Sequence, residues 1–178
     1  MNKALFLDRD GVINIDKGYV YRKDDFEFID GIFDLVKEAN KKNYKVIVIT
    51  NQAGIGRGFY SEKEFLEITK YMINVFKSKN ALIDKVYYSP FHPTHGVGKY
   101  RKNHMSRKPN PGMIIEASED LNLNLQNSVL VGDNITDIQA GQAAGINMNY
   151  LFKKNFSKDQ LIDNCSYTDS LTKLTKIL

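Results

Sequence analysis

Cysteine is almost missing from this chain: Cys165 is the only one in 178 residues. A lone thiol excludes an intramolecular disulfide and a cysteine-rich metal site. No apolar stretch approaches the roughly 20 residues of a membrane span. The short apolar run at the amino terminus is interrupted by Asp8 and Asp10, so the pattern of a secretory leader is absent too. Neither sign of charge dominates, because 25 Lys and Arg stand against 21 Asp and Glu, for a formal net charge of +4. That balance suits an anionic ligand without demanding one. Internal repeats and low-complexity linkers are also lacking. The expectation is a cytoplasmic chain forming one domain over residues 1–178, long enough for one packed core and short for two.

What the chain has instead is a series of apolar runs rich in β-branched residues. Lys3–Leu7, Tyr44–Ile49, Lys85–Tyr88 and Ser128–Val131 read as strands, with Ile146–Leu151 as a fifth. The runs are continuous rather than alternating, which points to strands covered on both faces, as in a parallel sheet. Helical stripes lie between them. Ile32, Leu35, Val36 and Ala39 form one after Gly31. Ser61 and Glu64 make a capping box ahead of Phe65, Ile68, Met72, Val75 and Phe76. Pro111 opens a third helix, and Ile135–Ala144 forms a fourth that ends at Gly145. Ser157–Leu178 reads as one or two short helices around a weak strand near Cys165–Tyr167. The alternation predicts a Rossmann-like, doubly wound α/β fold with a parallel sheet. Right-handed crossovers then bring every strand end to one edge, where ligands bind.

The residues after each strand are polar. Asp8-Arg9-Asp10-Gly11 follows the first, and Thr50-Asn51-Gln52-Ala53-Gly54 the second. Arg107-Lys108-Pro109 closes the long irregular stretch Ser89–Gly112 beyond the third, and Gly132-Asp133-Asn134 follows the fourth, with Asp137 one helical turn later. Each has an ordinary structural reading: a helix cap or calcium loop for Asp-x-Asp, an end-of-strand hydroxyl for Thr50, a solvated charge for Lys108, an Asx turn at Asp133. Together and in this order they are hard to obtain by accident. Asp8 and Asp10 are costly to bury unless a cation sits between them, which suggests a magnesium-assisted site where one aspartate attacks and the other moves a proton.

The four motifs resemble those of the haloacid dehalogenase-like phosphohydrolases, over at least Lys3–Gly145. That resemblance implies that Asp8 is the nucleophile and forms an aspartyl-phosphate. Asp10 would serve as general acid and then base. Asp8, the Asp10 backbone carbonyl and Asp133 would hold Mg²⁺, Thr50 and Lys108 would bind the phosphoryl oxygens, and Asp137 would orient Lys108 or a metal-bound water. Three further segments, Asp16-Lys17-Gly18-Tyr19-Val20, Thr50–Gly58 and Arg107–Met113, look like those of the D-glycero-D-manno-heptose 1,7-bisphosphate 7-phosphatases, which share a subgroup with histidinol-phosphate phosphatases. The likeness implies no large cap domain and a small phosphorylated sugar as substrate. It implies substrate contacts from Asp16, Lys17, Gly18, Tyr19, Thr50, Asn51, Gln52, Ala53 and Asn134, with Arg107 reading the retained C1 phosphate. A guanidinium fork suits a phosphate that is clamped and not cleaved.

Two departures stand out. The family usually carries zinc before Arg107, on three cysteines and a histidine, where this chain has Ser89, Phe91, His104 and Ser106. His92, His95 and His104 could form a substitute site, yet three loop histidines without thiolates are more often ordinary loop residues, and no zinc is expected. Packing from Pro90, Phe91, Pro93 and Tyr100 would then hold the loop, unless it stays mobile until substrate binds. Asn134 stands where the family commonly has a lysine, and Lys99, Arg101 and Lys102 read as a solvated basic loop. Rival readings are a polynucleotide 3′-phosphatase, with a similar Thr-Asn-Gln-x-Gly-Ile-Gly-Arg-Gly stretch, a histidinol-phosphate phosphatase, and a phosphosugar-binding protein without catalysis. The expectation is a monomer with no nucleic-acid or membrane partner.

Overall fold

A computed structural model of the chain describes residues 1–153 and 163–178. The apolar runs form six parallel strands: β1 (Lys3–Leu7), β2 (Tyr44–Asn51), β3 (Lys85–Ser89), β4 (Val129–Gly132), β5 (Met148–Phe152) and β6 (Ser166–Thr168), in the order β3-β2-β1-β4-β5-β6. Helices α1 (Ile32–Lys41), α2 (Ala53–Gly56), α3 (Glu62–Ser78), α4 (Gly112–Leu121), α5 (Ile135–Ala143) and α6 (Leu171–Leu174) connect or follow them. The fold is the expected Rossmann-like α/β arrangement. The connections after β1 and β2 carry one 3-10 turn at Lys23–Asp25 and the short α2, with no cap domain.

Continuous apolar runs arise because each central strand has a core on both faces. In β1, Leu5 and Leu7 point into a cluster shared with Leu35 and Val36 of α1 and Ile68, Met72 and Phe76 of α3. Ala4 and Phe6 point the other way, into a cluster with Met113 and Ile114 of α4 and Ile138 of α5. Successive side chains of a strand face opposite sides, so a doubly covered strand cannot alternate with polar residues.

The element ends follow local chemistry. Strand β2 runs two residues beyond the expected Ile49, because Thr50 and Asn51 pair with Tyr88 and Ser89 of β3. Strand β4 starts at Val129; the preceding Ser128 instead uses its hydroxyl to accept the Ala4 N–H at 2.9 Å and to donate to the Asn124 carbonyl at 2.7 Å. Pro111 is the N-cap of α4 rather than its first helical residue. Helix α5 ends at Ala143, and Gly145 (φ 84°) terminates it as expected. Strand β6 and α6 match the weak strand and one of the short helices expected in the carboxyl-terminal part; the remainder of that reading, Ser157–Ile162, lies outside the described residues.

The Ser61 capping box is present. Ser61 Oγ accepts the Glu64 N–H at 3.2 Å, and Glu64 Oε2 accepts the Ser61 N–H at 2.7 Å. Removing a capping hydroxyl costs about 1 kcal/mol. Ser61→Ala is therefore expected to lower the thermal midpoint by about 2–4 °C at this chain length. Calorimetry checks this, and an unchanged midpoint would mean that solvent replaces the cap.

Candidate active site

The strand order reverses between β1 and β4, and open α/β sheets bind ligands in the crevice outside the strand ends at such a reversal. A cleft of about 400 Å³ opens there. Asp8 and Asp10 line it from β1, Thr50, Asn51, Gln52 and Ala53 from β2, Arg107 and Lys108 from the loop after β3, and Asp133, Asn134, Thr136 and Asp137 from β4 and α5. Asp16, Gly18, Tyr19 and Tyr60 complete the wall.

Lys108 is at its centre, 3 % exposed. Its ammonium lies 2.9 Å from Asp8 Oδ1 and 2.6 Å from Asp137 Oδ1, and donates to the Ile49 carbonyl at 2.9 Å. Three donors thus meet three acceptors. Burial works against the charge, but Asp137 and Asp8 outweigh it, and the ammonium holds its proton more firmly than an ordinary lysine. Asp137 is fixed in turn, since its Oδ2 accepts the Asn134 N–H at 3.0 Å. Asp137 therefore contacts Lys108 directly.

Asp8, Asp133 and Asp137 each offer an oxygen within 4.8 Å of the others. Burial, opposed by Lys108 and reinforced by Asp137 and Asp133, pushes the Asp8 carboxyl well above the usual carboxylate range. Burial and then the charge of Asp137 push Asp133 up to about 7. Carboxylates so placed have more negative charge than Lys108 alone offsets, and hard oxygen donors in this number suit a magnesium ion. Two glycines allow the close approach. A Cβ on Gly11 (φ 88°) would lie 2.1 Å from Asp133 Oδ2, and one on Gly132 would lie 2.2 Å from the Asp137 Cβ.

The Asp10 side chain lies outside this cluster. Arg9 grips it, with Nη2 donating to Oδ1 and Oδ2 at 2.8 Å each and Nε to Oδ2 at 3.1 Å. Asn14 Nδ2 donates to Oδ1 and Gln52 Nε2 to Oδ2, both at 3.0 Å. Arg9 is itself 1 % exposed, anchored by the Val20 carbonyl at 2.7 Å and set between the rings of Phe26 and Phe65. Sequence reasoning missed Arg9, Asn14 and Tyr60. Nothing local in the sequence marks Arg9 as buried; its place between two aromatic rings is set by packing. Tyr60 donates to Gln52 Oε1 and carried no sequence signal.

Other expected residues take varied positions. Gln52 lines the cleft, but its amide is committed to Asp10 and, at 2.8 Å, to Thr50 Oγ1. Asn51 brackets Lys108, donating to its carbonyl and accepting its N–H at 3.1 Å each. Asn134 caps α5 by accepting the Thr136 N–H at 3.2 Å. Tyr19 stands at the mouth with φ 57°, a conformation that costs a bulky residue on the order of 1–2 kcal/mol. Arg57 bonds its hydroxyl, and Phe59 meets its ring edge-on at 4.7 Å. Lys17 does not line the cleft; its ammonium pairs with Glu27 at 3.1 Å. The short loop turns its long side chain outward while Gly18 and Tyr19 face the site.

In the loop after β3, Phe91 stacks on His104 with centroids 4.1 Å apart, while His92 lies beside His95 at 4.7 Å. Among the described residues, the group whose ligand atoms gather closely enough to hold a metal ion is the aspartate cluster. Pro93 is exposed, which corrects the expectation that it packs the loop. Lys99, Arg101 and Lys102 are exposed. No described helix is long and apolar enough to cross a membrane.

The family model described as polynucleotide kinase 3 phosphatase matches residues 4–164. The chain belongs to the haloacid dehalogenase-like phosphatases, in the family that this model describes. Within it, the relatives are those of the heptose bisphosphate phosphatase subgroup. The D-glycero-alpha-D-manno-heptose-1,7-bisphosphate 7-phosphatase of Burkholderia mallei is 53% identical over 150 residues, covering 84% of this chain and 79% of that protein. The D-glycero-beta-D-manno-heptose-1,7-bisphosphate 7-phosphatase of Haemophilus influenzae is 42% identical over 153 residues, covering 86% and 83%. The crystal structure of D,D-heptose 1,7-bisphosphate phosphatase from B. bronchiseptica, complexed with magnesium and phosphate, shares the fold with TM-score 0.85 at 24% identity, over 98% of this chain and 97% of that one.

Burial of the Asp133 carboxyl links its protonation to the stability of the fold. A carboxyl that titrates near 7 when folded and near 3.8 when unfolded binds its proton more tightly in the folded chain. Its contribution to stability is therefore lost as pH rises from about 4 to about 7. Metal-free protein is expected to lose thermal stability across this range relative to Asp133→Asn. Millimolar magnesium is expected to raise the wild-type midpoint by about 3–6 °C near pH 8, the effect of a ligand at tenfold its Kd, and to leave the variant unmoved. Thermal shift near pH 4 and near pH 8, with and without magnesium, measures it; an equal magnesium response in the variant would remove Asp133 from the cation site.

Proposed function

We propose that this protein hydrolyses the C7 phosphate of D-glycero-D-manno-heptose 1,7-bisphosphate through an aspartyl-phosphate on Asp8. The observation that carries the reading is the meeting of Asp8, Thr50, Lys108 and Asp133 around one cleft, with Arg107 at its wall. The names of the relatives support the sugar.

In this reading Asp8 attacks phosphorus in line, and the bond from phosphorus to the C7 oxygen breaks as the Asp8 O–P bond forms. Asp10 gives its proton to the departing alkoxide. A water then attacks phosphorus and gives a proton to Asp10; the Asp8 O–P bond breaks and inorganic phosphate leaves. Arg9, Asn14 and Gln52 hold the Asp10 carboxylate for these transfers. Lys108 keeps one ammonium beside the nucleophile, and with Thr50 it receives the phosphoryl oxygens. Asp8, Asp133 and the Asp10 backbone carbonyl would hold a magnesium ion, which would supply neutralisation of the phosphoryl charge. Asp16, Gly18, Tyr19, Asn51, Ala53 and Asn134 shape the sugar subsite, and Arg107 reads the C1 phosphate. The reading takes residues 1–178 as one domain, acting as a cytoplasmic monomer.

The family model carries the name of a polynucleotide phosphatase, so a 3′-phosphorylated oligonucleotide belongs in the test. With magnesium, kcat/KM is expected to be highest for one anomer of the heptose 1,7-bisphosphate, ahead of fructose 1,6-bisphosphate, histidinol phosphate and the oligonucleotide. A preference for the oligonucleotide would replace the sugar reading, and binding without turnover would favour a phosphosugar-binding protein. Asp8→Asn is expected to leave the fold intact and abolish phosphate release, by at least about a thousandfold for a lost nucleophile. Arg107→Ala is expected to lower kcat/KM for the heptose 1,7-bisphosphate by about ten- to a hundredfold, the worth of a charge-assisted contact, with little change for the heptose 7-phosphate. Equal losses on both would remove Arg107 from C1 recognition.

A further inference from the structure

The loop after β3 has to deliver Arg107 to the cleft wall, and its closure differs from what the resemblance implies. The family's zinc positions correspond here to Ser89, Phe91, His104 and Ser106. This donor set does not fit zinc. Two hydroxyls and a phenyl ring replace the usual thiolate and imidazole donors. The remaining imidazole is already engaged, since His104 Nδ1 accepts the Ser106 N–H at 3.1 Å and touches the Ser106 hydroxyl at 2.8 Å.

The four side chains nevertheless meet. Ser106 Oγ donates to Ser89 Oγ at 3.0 Å, joining the loop's far end to the end of β3. The His104 ring stacks on Phe91 at an interplanar angle of 28°, and Lys102 covers the Phe91 ring with its ammonium 4.5 Å from the centroid. Ser89 is fully buried, and its carbonyl accepts the Gln52 N–H at 2.7 Å, so the junction is continuous with the cleft wall.

Arg107 hangs from this junction. Its N–H donates to the His104 carbonyl at 2.9 Å, and its Nη1 donates to the Phe91 carbonyl at 3.0 Å. Lys108, the next residue, is held by other partners: Asn51, Ile49, Asp8 and Asp137. Two adjacent cations therefore depend on separate supports.

We propose that Ser89, Phe91, His104 and Ser106 form a metal-free knot that replaces a structural zinc and positions Arg107, with Ser106 and His104 as positioning residues for recognition of the second phosphate. The part concerning Arg107 rests on the bisphosphate reading above.

The test uses the full chain, purified without a histidine tag, with Ser106→Ala as the mild variant and His104→Ala as the stronger one. Wild type is expected to contain no zinc by elemental analysis and to keep its thermal midpoint in 1,10-phenanthroline. Both variants are expected to be cut faster by trypsin at Lys99, Arg101 and Lys102. Each is expected to raise KM for the heptose 1,7-bisphosphate by about three- to tenfold, the worth of a hydrogen bond or so. kcat/KM for the heptose 7-phosphate should change less than about twofold. Combined with Arg107→Ala, neither should add a further loss, because both act through that side chain. His104→Asn, which keeps an acceptor for the Ser106 N–H, should recover part of the effect. One equivalent of zinc, equal losses on the two sugars, or full additivity with Arg107→Ala would overturn the proposal. If Arg107→Ala itself fails to separate the two sugars, the bisphosphate reading falls; the knot then stands or falls on zinc content and trypsin, and unchanged cleavage in both variants would end it.

Discussion

The buried ammonium of Lys108 is the constraint on which the site depends. It is surrounded by Asp8, Asp137 and the Ile49 carbonyl, which lie just after β1, in α5 and in β2. Removing an ammonium from water is costly unless its protons find acceptors and its charge finds opposite charge. Meeting that requirement ties three elements of the fold to one atom. The same contact leaves Asp133 short of positive charge, and so creates the demand for a cation at the reversal of the sheet.

Around that centre the polar groups form two separate systems. Asp8, Asp133, Asp137 and Lys108 make a charged cluster suited to a metal and a phosphoryl group. Asp10 belongs to a second system with Arg9, Asn14, Gln52 and Tyr60, in which Asp10, Gln52 and Tyr60 reach the cleft and Arg9 and Asn14 are buried beneath it. The two aspartates of the first motif are neighbours along the chain and face different partners. Such a division suits chemistry in which one carboxylate must attack and the other must handle protons, because environments that differ can give like groups different tasks.

The mouth of the cleft is built on loops, and each loop is tied down by local contacts rather than by a cap. Tyr19 is held at positive φ by Arg57 and Phe59, while the long loop after β3 is closed by hydroxyl contacts and a stacked ring pair. Functional loops on a rigid sheet are common, and their side chains need support of their own to keep a fixed geometry.

The strand segments and their parallel, doubly wound arrangement, the capping box at Ser61, and the polar motifs around Asp8, Thr50, Lys108 and Asp133 were legible in the sequence, while the order of the strands in the sheet was not. They rest on short-range rules: the apolar period, the cap residues and the polar groups after each strand. Tertiary structure alone decided which way each side chain faced. It turned Lys17 out to Glu27, drew Arg9 into the core between two rings, committed Gln52 to Asp10, and brought Ser106 to Ser89 and His104 to Phe91 at the loop closure. The physical reason is that burial and hydrogen-bond satisfaction are settled between groups far apart in the chain. Local pattern specifies where a polar residue stands along a strand or loop, and only packing specifies which partner it meets.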